Sequence, residues 1–369
     1  MASFATSSNA PLSRLPAFPW DLIASHAQRA AEHPDGLVDL SVGTPVDPTP
    51  DVIQAALVEA ANSPGYPTTH GTVEFRQAAV KWMARSAGAI DVDPAAVLPV
   101  IGTKEIVAWL PTMLGVGAGQ RIVIPELAYP TYDVGARLSQ AEPVVAADPT
   151  LVEGDVSMVW INSPSNPTGE VLSAERMRAI VDWARDRGAL VVSDECYLEL
   201  GWTAQPVSVL DPDVCGGSSE GVLAVHSLSK RSNLAGYRCG FVAGDERVIA
   251  ELVELRKHAG MMVSGPVQAA ATAALNDDAH VAVQRERYAA RRELLAQALI
   301  SAGFSISHSN AGLYLWASRG EPALASVAWL AERGILVAPG TFYGSAGAEH
   351  VRVALTATDE RVRAAVSRL

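Results

Sequence analysis

Short, continuously apolar segments recur through the middle of the chain, from about residue 96 to residue 243. Unbroken apolar runs are typical of strands that are buried on both faces of a sheet. Helical patterns separate these runs, and such an alternation predicts an α/β fold with a mainly parallel sheet between layers of helices. The seven predicted strands begin at Ala96, Arg121, Glu142, Val156, Ala189, Val222 and Cys239.

The segment at 173–188 shows the helical pattern most clearly. Its apolar residues recur at helical spacing between Met177 and Ala184. Ser173 precedes them as a candidate N-cap, and Gly188 lies where a glycine commonly ends a helix. This segment therefore predicts an amphipathic helix between two strands of the sheet.

The pattern changes after Pro266, where a long helical segment rich in Ala, Arg and Glu begins. The strand patterns that follow it begin at Phe304, Gly312, Ile335 and His350. They predict a smaller α+β domain. We therefore expect an N-terminal arm and helix at 1–38 that packs with the small domain, a large domain at 39–266, and a small C-terminal domain at 267–369.

Composition and charge narrow the possible functions. The 369 residues contain 28 Lys and Arg against 40 Asp and Glu, a formal net charge of −12. Such a surface repels phosphate backbones. The sequence has no signal-peptide pattern and no apolar run long enough to span a membrane, and its three cysteines lack C-x-x-C spacing. We expect a cytoplasmic protein that binds neither nucleic acid nor membrane.

Three short patterns suggest chemistry that their context does not support. Gly115–Gly119 imitates a dinucleotide-binding loop, but it precedes a predicted strand instead of opening a helix. Ser227–Lys230 matches the S-x-x-K pattern of serine β-lactamases, whose S-D-N and K-T-G elements are missing downstream. The eight histidines show no ligand spacing, so no metal site is predicted.

Lys230 follows the predicted strand at Val222, at the end of the strand where open α/β sheets bind ligands. Taken alone, it would be interpreted as a solvated surface lysine. Ser227 and Ser229 add hydroxyl groups, and Arg238 adds a guanidinium that suits phosphate. A phosphate site beside an amine indicates a Schiff base with a phosphorylated aldehyde.

Asp194 ends the predicted strand at Ala189. It could be a turn cap, but a buried carboxylate there would also keep the nitrogen of an aromatic heterocycle protonated. Tyr197 and Asn166 could contact the phenolic oxygen of the same ring. Asn166 is also interpretable as a turn residue, and both Ser163–Pro164 and Asn166–Pro167 are candidates for cis bonds.

The first two predicted strands are followed by further candidates. Gly102, Thr103 and Lys104 begin a helical pattern, whose free N–H groups could complete the phosphate site. Tyr129 could stack on a flat ring. Each pattern is weak alone, because such turns often contain Gly and Thr and because tyrosines more often serve packing.

Together these motifs resemble one enzyme family. S-x-S-K is followed by Arg eight residues later, and N-P-T-G and S-D-E-x-Y precede it in that order. The set is similar to that of the fold-type I pyridoxal-phosphate aminotransferases, the aspartate aminotransferase superfamily, and the similarity extends from Asp39 to the strand at His350. It implies an aspartate aminotransferase-like fold, pyridoxal 5'-phosphate as cofactor, and amino-acid and 2-oxo-acid substrates.

The resemblance implies a role for each matching residue. Lys230 would form the Schiff base and shuttle the substrate proton, and Asp194 would pair with the pyridinium nitrogen. Asn166 and Tyr197 would contact the ring oxygen, and Tyr129 would stack on the ring. The residues that would surround the phosphate are Gly102, Thr103, Lys104, Ser227, Ser229 and Arg238.

Three further residues enter only through the resemblance. Tyr66 matches a tyrosine that reaches the phosphate of the neighbouring subunit, which implies a homodimer with shared active sites. Arg352 would clamp the substrate α-carboxylate, helped by Asn166 and by the backbone N–H of Gly43. By themselves, Tyr66 could be a turn aromatic and Arg352 a surface charge on an edge strand.

Stretches such as FPWDLIASHA and LYLWASRGE are similar to N-succinyldiaminopimelate aminotransferases. This implies N-succinyl-LL-2,6-diaminopimelate as donor, 2-oxoglutarate as acceptor, and a place in lysine and diaminopimelate biosynthesis. The distal carboxylate of that donor needs a second cation, for which the candidates are Lys104, Arg137, Arg256 and Lys257. The last three are more readily interpreted as solvated surface charges. The alternatives are aspartate, glutamate or an aromatic amino acid as donor, a C–S β-lyase, and a cofactor-binding regulator.

Overall fold

The structure is a computed structural model that describes residues 11–17 and 19–369. The helices are α1 Ala24–Ala31, α2 Asp51–Glu59, α3 Val73–Ser86, α4 Thr103–Met113, α5 Thr131–Ser139, α6 Ala174–Arg185, α7 Pro212–Cys215, α8 Leu228–Arg231, α9 Glu246–Ala259, α10 Gly265–Asn276, α11 Ala279–Ser301, α12 Ala323–Ala331 and α13 Asp359–Arg368. The strands are β1 Val38–Asp39, β2 Val97–Val100, β3 Arg121–Pro125, β4 Glu142–Ala146, β5 Met158–Asn162, β6 Leu190–Asp194, β7 Val222–Ser227, β8 Gly240–Gly244, β9 Ser305–Ser307, β10 Tyr314–Ser318, β11 Ile335–Leu336, β12 Ala338–Pro339 and β13 Val351–Ala354. None of the helices within these described ranges is both long and apolar enough to cross a lipid bilayer.

Seven strands form the large sheet, in the order β2-β8-β7-β6-β5-β3-β4. They are the strands that the seven apolar runs predict. Neighbouring strands are parallel except at β2–β8 and β7–β8, because β8 runs opposite to the others. The prediction of a mainly parallel sheet of seven strands is confirmed.

Helices on both faces of this sheet explain why its strands are mostly apolar. Every residue of β5 and of β7 is buried. Val159 and Ile161 pack into one apolar cluster, whereas Met158 and Trp160 pack into another. Since alternate side chains of a strand point to opposite faces, both faces need apolar residues, and in β5 and β7 polar residues occur only at the carboxyl ends.

The helix predicted at 173–188 is α6. The Ser173 hydroxyl accepts a hydrogen bond from the N–H of Arg176 (3.2 Å), which caps the first turn. Past the last turn, the N–H groups of Gly188 and the next residue return to carbonyls of the helix. Gly188 has φ +64°, a left-handed conformation that glycine adopts without steric cost. Both predicted ends are confirmed.

A second, antiparallel sheet has the order β12-β13-β10-β9. The run predicted at Ile335 divides into β11, which pairs with β1, and β12, which pairs with β13. Because β13 lies between two strands, the interpretation of Arg352 as a surface charge on an edge strand is wrong.

The N-terminal segment packs close to this second sheet. Helix α1 packs on α12, and β1 lies parallel to β11. Residues 1–10 of the expected arm lie outside the described residues. The boundaries of the three expected parts, at residues 38 and 266, stay a prediction.

The connecting segments follow the sequence in part. Gly115–Gly119 lies in the connection from α4 to β3. It precedes a strand and does not open a helix, which agrees with the rejection of a dinucleotide-binding loop. Of the two candidate cis bonds, Ser163–Pro164 is cis and Asn166–Pro167 is not.

Candidate active site

A cavity of about 620 Å³ lies where the carboxyl ends of the parallel strands meet the smaller sheet. It brings together all of the predicted site residues except Gly102 and Tyr66. The predicted residues that line it are Gly43, Thr103, Lys104, Tyr129, Asn166, Asp194, Tyr197, Ser227, Ser229, Lys230, Arg238 and Arg352. The sequence did not single out the other lining residues, which are Trp20, Val42, Thr44, Asn162, Cys196, Ala235 and Tyr314.

Lys230 lies in the single helical turn α8, directly after β7. Its amine donates a hydrogen bond to the carbonyl of Gly43. Burial lowers the pKa of Lys230, and the positive charges of Arg352 and Arg238 lower it further. A lowered pKa favours the free amine, which is the form that attacks a carbonyl. Lys230 is therefore not the solvated surface lysine of the alternative interpretation.

Asp194 is buried at the end of β6, with 6% of its surface exposed. Its carboxylate accepts a hydrogen bond from the Tyr132 hydroxyl (2.8 Å) and one from the N–H of Cys196 (3.2 Å). Burial raises the pKa of Asp194, and the hydrogen bonds from Cys196 and Tyr132 oppose that rise. The carboxylate can thus cap the turn and still face the cavity.

Tyr132 is a site residue that the sequence did not reveal. Its ring stacks on Trp160 of β5, with centroids 4.8 Å apart and planes 18° apart, and its hydroxyl thereby reaches Asp194. Tyr132 lies one helical turn after Tyr129, and the two rings meet edge to face at 5.8 Å. The three-residue spacing of Tyr129 and Tyr132 was the one signal in the sequence that both could lie on the same side. It does not show that Tyr132 packs on β5, which is what brings its hydroxyl to Asp194.

Hydroxyl groups and a guanidinium also line the cavity. The Ser227 hydroxyl accepts the N–H of Ser229 (3.2 Å), and both side chains line the cavity with Arg238. Gly102 does not line the cavity itself, but it has φ +75° and precedes α4. A Cβ there would lie 2.5 Å from an Arg238 nitrogen, so glycine is required for this close approach.

Arg352 lies on β13 with 3% of its surface exposed. It donates to the Asn166 side-chain oxygen (2.8 Å) and to the carbonyl of Ser41 (2.7 Å). Its guanidinium carbon lies 3.9 Å from the ring centroid of Tyr314 and 4.8 Å from that of Tyr343. The Nε atom of Arg352 is buried without a hydrogen-bond partner. A buried cation with an unused donor suits a carboxylate ligand.

Three of the four candidate cations for a distal carboxylate lie outside the cavity, and those predictions are wrong. Arg256 is buried in an ion pair with Glu105 (2.7 Å). Arg137 pairs with Asp133 (2.7 Å), and Lys257 pairs with Glu254 (2.5 Å). The fourth candidate, Lys104, is exposed and lines the cavity.

Tyr66 also lies outside the cavity of its own chain. Its side chain is 97% exposed, in the segment between α2 and α3. A tyrosine this exposed contributes almost nothing to the core of its own chain, so the turn-aromatic interpretation and contact with another subunit both remain open.

The donor set fits pyridoxal phosphate. A lysine with a lowered pKa lies beside hydroxyls and an arginine that suit a phosphate, and a buried carboxylate can face a ring nitrogen. Burial raises the pKa of Tyr129 to about 12, so this aromatic side chain stays neutral. Because Gly102 has no side chain, the Arg238 guanidinium can lie directly against the backbone at the start of α4, among the groups that suit a phosphate.

Comparison with known proteins agrees with this geometry. The model of the family "Aminotransferase class I and II" matches residues 35–369. A probable aminotransferase of Mycobacterium tuberculosis is 63% identical over 96% of this chain and 85% of that protein. The 4-dedimethylamino-4-oxo-anhydrotetracycline transaminase of Streptomyces rimosus is 58% identical over 96% of this chain and 99% of that protein.

More distant similarities extend to diaminopimelate-related enzymes. An LL-diaminopimelate aminotransferase of Trichormus variabilis is 33% identical over 90% of each protein. The crystal structure of an aminotransferase from Neisseria meningitidis superposes with a TM-score of 0.89 at 31% identity, over 98% of both chains. A probable N-succinyldiaminopimelate aminotransferase from Thermus thermophilus gives a TM-score of 0.85 at 28% identity, over 95% of this chain and 100% of that one. This chain belongs to the class I and II aminotransferases, enzymes with the aspartate aminotransferase-like fold that use pyridoxal phosphate to move amino groups between amino acids and 2-oxo acids.

Proposed function

We propose that this aminotransferase takes the amino group of N-succinyl-LL-2,6-diaminopimelate and passes it to 2-oxoglutarate. The observation that carries the proposal is that exposed Lys104 and buried Arg352 line one cavity, in addition to Lys230 and Arg238. Both substrates have a carboxylate next to the reacting carbon and at least one more carboxylate further away. Arg352 binds the first as a fork, and Lys104 attracts the second as a point charge.

The cofactor is held by the residues that line the cavity. When bound, pyridoxal phosphate supplies an aldehyde for the amino group and a ring that accepts electron density from the substrate. Asp194 would hold a proton at the ring nitrogen, and Tyr197 and Asn166 would donate to the ring oxygen. The phosphate would be held by the N–H groups at the start of α4, including that of Lys104, and by the side chains of Thr103, Ser227, Ser229 and Arg238.

Lys230 performs the proton transfer. Its lowered pKa would allow the free amine to take the proton from the substrate Cα and to deliver it to the aldehyde-derived carbon of the cofactor. Arg352 and Asn166 hold the α-carboxylate, which leaves the Cα hydrogen directed toward Lys230. The walls contributed by Tyr314 and Tyr129 limit the access of water while the proton moves.

The active site is completed in a homodimer. Tyr66 is 97% exposed and lies outside its own cavity, so its hydroxyl is available to the phosphate of a second copy. Analytical ultracentrifugation should therefore give the mass of a dimer, and Tyr66→Phe should weaken cofactor binding without changing that mass. A monomer with full activity would contradict this arrangement.

A second candidate substrate is a 4-oxo-anhydrotetracycline, whose ketone would accept the amino group. Its support is the transaminase of Streptomyces rimosus, which is 58% identical over almost its full length. The aromatic side chains of Trp20, Tyr129 and Tyr314 also line the cavity, and they could contact a flat polycyclic substrate.

A donor screen separates these possibilities. Each donor is mixed with the enzyme in its aldehyde form, and the loss of the aldehyde absorbance gives the rate of the first half-reaction. N-Succinyl-LL-2,6-diaminopimelate should react with the highest kcat/KM, ahead of LL-diaminopimelate, aspartate, glutamate and kynurenine. A preference for any of these, or for a 4-amino-anhydrotetracycline, would replace the proposed donor. Release of pyruvate from cystathionine would instead indicate a C–S β-lyase.

A further inference from the structure

Two tyrosine hydroxyls meet beside Lys230, and the roles described above use only one of them. Tyr197 follows β6 of the large sheet, whereas Tyr314 lies on β10 of the smaller sheet. Their oxygens are 3.1 Å apart, and their rings meet edge to face with centroids 5.8 Å apart. Both side chains are buried, so each hydroxyl needs the other as a partner.

The position of Tyr314 is strongly constrained. Its ring lies under the guanidinium of Arg352, 3.9 Å from the centroid, and strand pairing places Arg352 opposite the residue two positions further along β10. Its hydroxyl lies against the backbone of Gly43, where a Cβ would come within 2.1 Å of the oxygen. Gly43 is also the residue whose carbonyl accepts from Lys230. The Tyr314 side chain is therefore held by Arg352 and by Gly43, and its hydroxyl cannot move away from Tyr197 without disturbing these two contacts.

The direction of this hydrogen bond matters, because each hydroxyl has a single proton. If Tyr197 donates to Tyr314, its proton is not available to the cavity. If Tyr314 donates, the Tyr197 oxygen is satisfied as an acceptor and its proton can point to a ligand.

The surrounding charges favour Tyr314 as the donor. Burial alone would raise the pKa of Tyr314, but the positive charges of Arg352 and Lys230 outweigh it and lower that pKa. Burial raises the pKa of Tyr197 well above its usual value. The more acidic hydroxyl is the better donor. The titratable groups around the pair are Tyr129, Cys196, Lys230, Tyr288, Tyr343 and Arg352.

We propose that Tyr314 is a positioning residue that acts through Tyr197: its hydroxyl donates to the Tyr197 oxygen and so directs the Tyr197 proton to the ring oxygen of the cofactor. The inference rests on the role proposed for Tyr197. It assigns to the smaller sheet a function in tuning the cofactor, in addition to binding the substrate carboxylate.

The test is the pH midpoint of the absorbance change of the cofactor when it is linked to Lys230. The ring oxygen shares its electron density between the Tyr197 proton and the proton on the linking nitrogen. A weaker bond from Tyr197 leaves the linking proton more tightly held, so the midpoint rises. Tyr197→Phe should raise it by about 1 pH unit. Tyr314→Phe should raise it by about 0.3 pH unit, since it weakens the same bond without removing it.

The double variant gives the sharpest result. If Tyr314 acts only through Tyr197, Tyr197→Phe with Tyr314→Phe should have the same midpoint as Tyr197→Phe alone. Additive shifts would mean that Tyr314 acts independently, and they would overturn the inference. An unchanged midpoint in Tyr314→Phe would overturn it too.

Tyr343→Phe is the matched control, because Tyr343 also faces Arg352 but has no hydrogen bond to Tyr197. Its midpoint should equal that of the unchanged enzyme. As a readout without turnover, titration of the cofactor-free protein with pyridoxal phosphate should give a Kd about twofold higher in Tyr314→Phe, and no change in Tyr343→Phe.

The outcomes separate this inference from the proposed function. If Tyr197→Phe leaves the midpoint unchanged, the role of Tyr197 itself fails. If Tyr197→Phe shifts it and Tyr314→Phe does not, only the role of Tyr314 fails. Thermal unfolding of the cofactor-free proteins tests folding, and Tyr314→Leu supplies a second side chain without a hydroxyl. If neither Tyr314 variant folds, Tyr314 serves packing and the inference is wrong.

Discussion

The two sheets face the same cavity but contribute to it in different ways. The large parallel sheet contributes the segments that follow its strands, such as Asp194 after β6 and Lys230 after β7. The smaller antiparallel sheet contributes residues within its strands, Tyr314 of β10 and Arg352 of β13, which lie near one another across a strand pair. A parallel sheet collects its carboxyl ends at one edge, whereas an antiparallel sheet presents side chains on a face.

This difference separates the two tasks of the enzyme. The edge of the large sheet can bind a cofactor that is common to every substrate, and the face of the smaller sheet can select the substrate. Variants of Lys230 and Asp194, which belong to the large sheet, should therefore impair the reaction with every donor, whereas variants of Arg352 on the smaller sheet should weaken binding of the amino-acid substrate and leave cofactor binding intact.

The largest effect is expected at Lys230, on the large sheet. Lys230→Ala removes both the amine that bonds to the cofactor and the group that moves the proton, so turnover should fall by about 10⁴-fold or more with every donor. The cofactor should still bind through its phosphate contacts. Borohydride reduction followed by peptide mapping should place the cofactor on Lys230 in the unchanged protein, and label on another lysine would contradict the assignment.

Asp194→Asn should cost about 10²- to 10³-fold in kcat, because the neutral amide no longer stabilises a protonated ring nitrogen. The variant has nearly the same shape, so the thermal unfolding midpoint of the cofactor-free protein serves as the control and should change little. Single-turnover rates with several donors should fall by the same factor. A rate equal to that of the unchanged enzyme would refute the role of this carboxylate.

Arg352→Ala tests the smaller sheet. Loss of the buried cation should lower kcat/KM for amino-acid donors by about 30- to 1000-fold, equivalent to about 2–4 kcal/mol. The Kd for pyridoxal phosphate should stay within a factor of about two. If cofactor binding falls as much as donor binding, the division of tasks between the sheets is wrong. Arg352→Lys should recover only part of the loss, because lysine cannot form the fork.

The smallest effect is expected at Lys104, which is exposed. Lys104→Gln should raise KM by about two- to fivefold for donors with a distal carboxylate, since exposed charges are screened by solvent. It should leave KM for alanine unchanged. Lys257→Gln is the matched control, because that exposed lysine pairs with Glu254 and lies outside the cavity. Equal changes for both classes of donor would argue against contact with a distal group.

The residues of the large sheet were largely accessible from the sequence because their signals are local. Asp194 ends an apolar run, and Lys230 comes three residues after the end of another. Ser173 and Gly188 mark a helix through hydrogen bonds to its first and last turns. Such signals involve residues only a few positions apart. The predicted strands also show that residues directly after them lie at the carboxyl edge of the sheet.

The wrong candidates failed for a reason that was partly visible. Arg137 has Asp133 four positions before it on a helix, and that spacing alone allows the ion pair that occupies it. Arg256 pairs with Glu105, 151 positions away, and no local pattern predicts this contact. Whether a cation is free to bind a substrate carboxylate can be decided only when its ion-pair partners in the fold are known.

The chain order of apolar and polar residues is sufficient for the seven-stranded sheet and for the amine, acid and guanidinium that follow its strands, because burial and capping act over short stretches. Only the packing of one sheet against the other decides that Arg352 donates to Asn166, 186 positions away, and that the hydroxyls of Tyr197 and Tyr314 meet across 117 positions. The physical reason is that these contacts depend on the relative placement of two separately formed layers, and the spacing of residues along the chain carries no record of that placement.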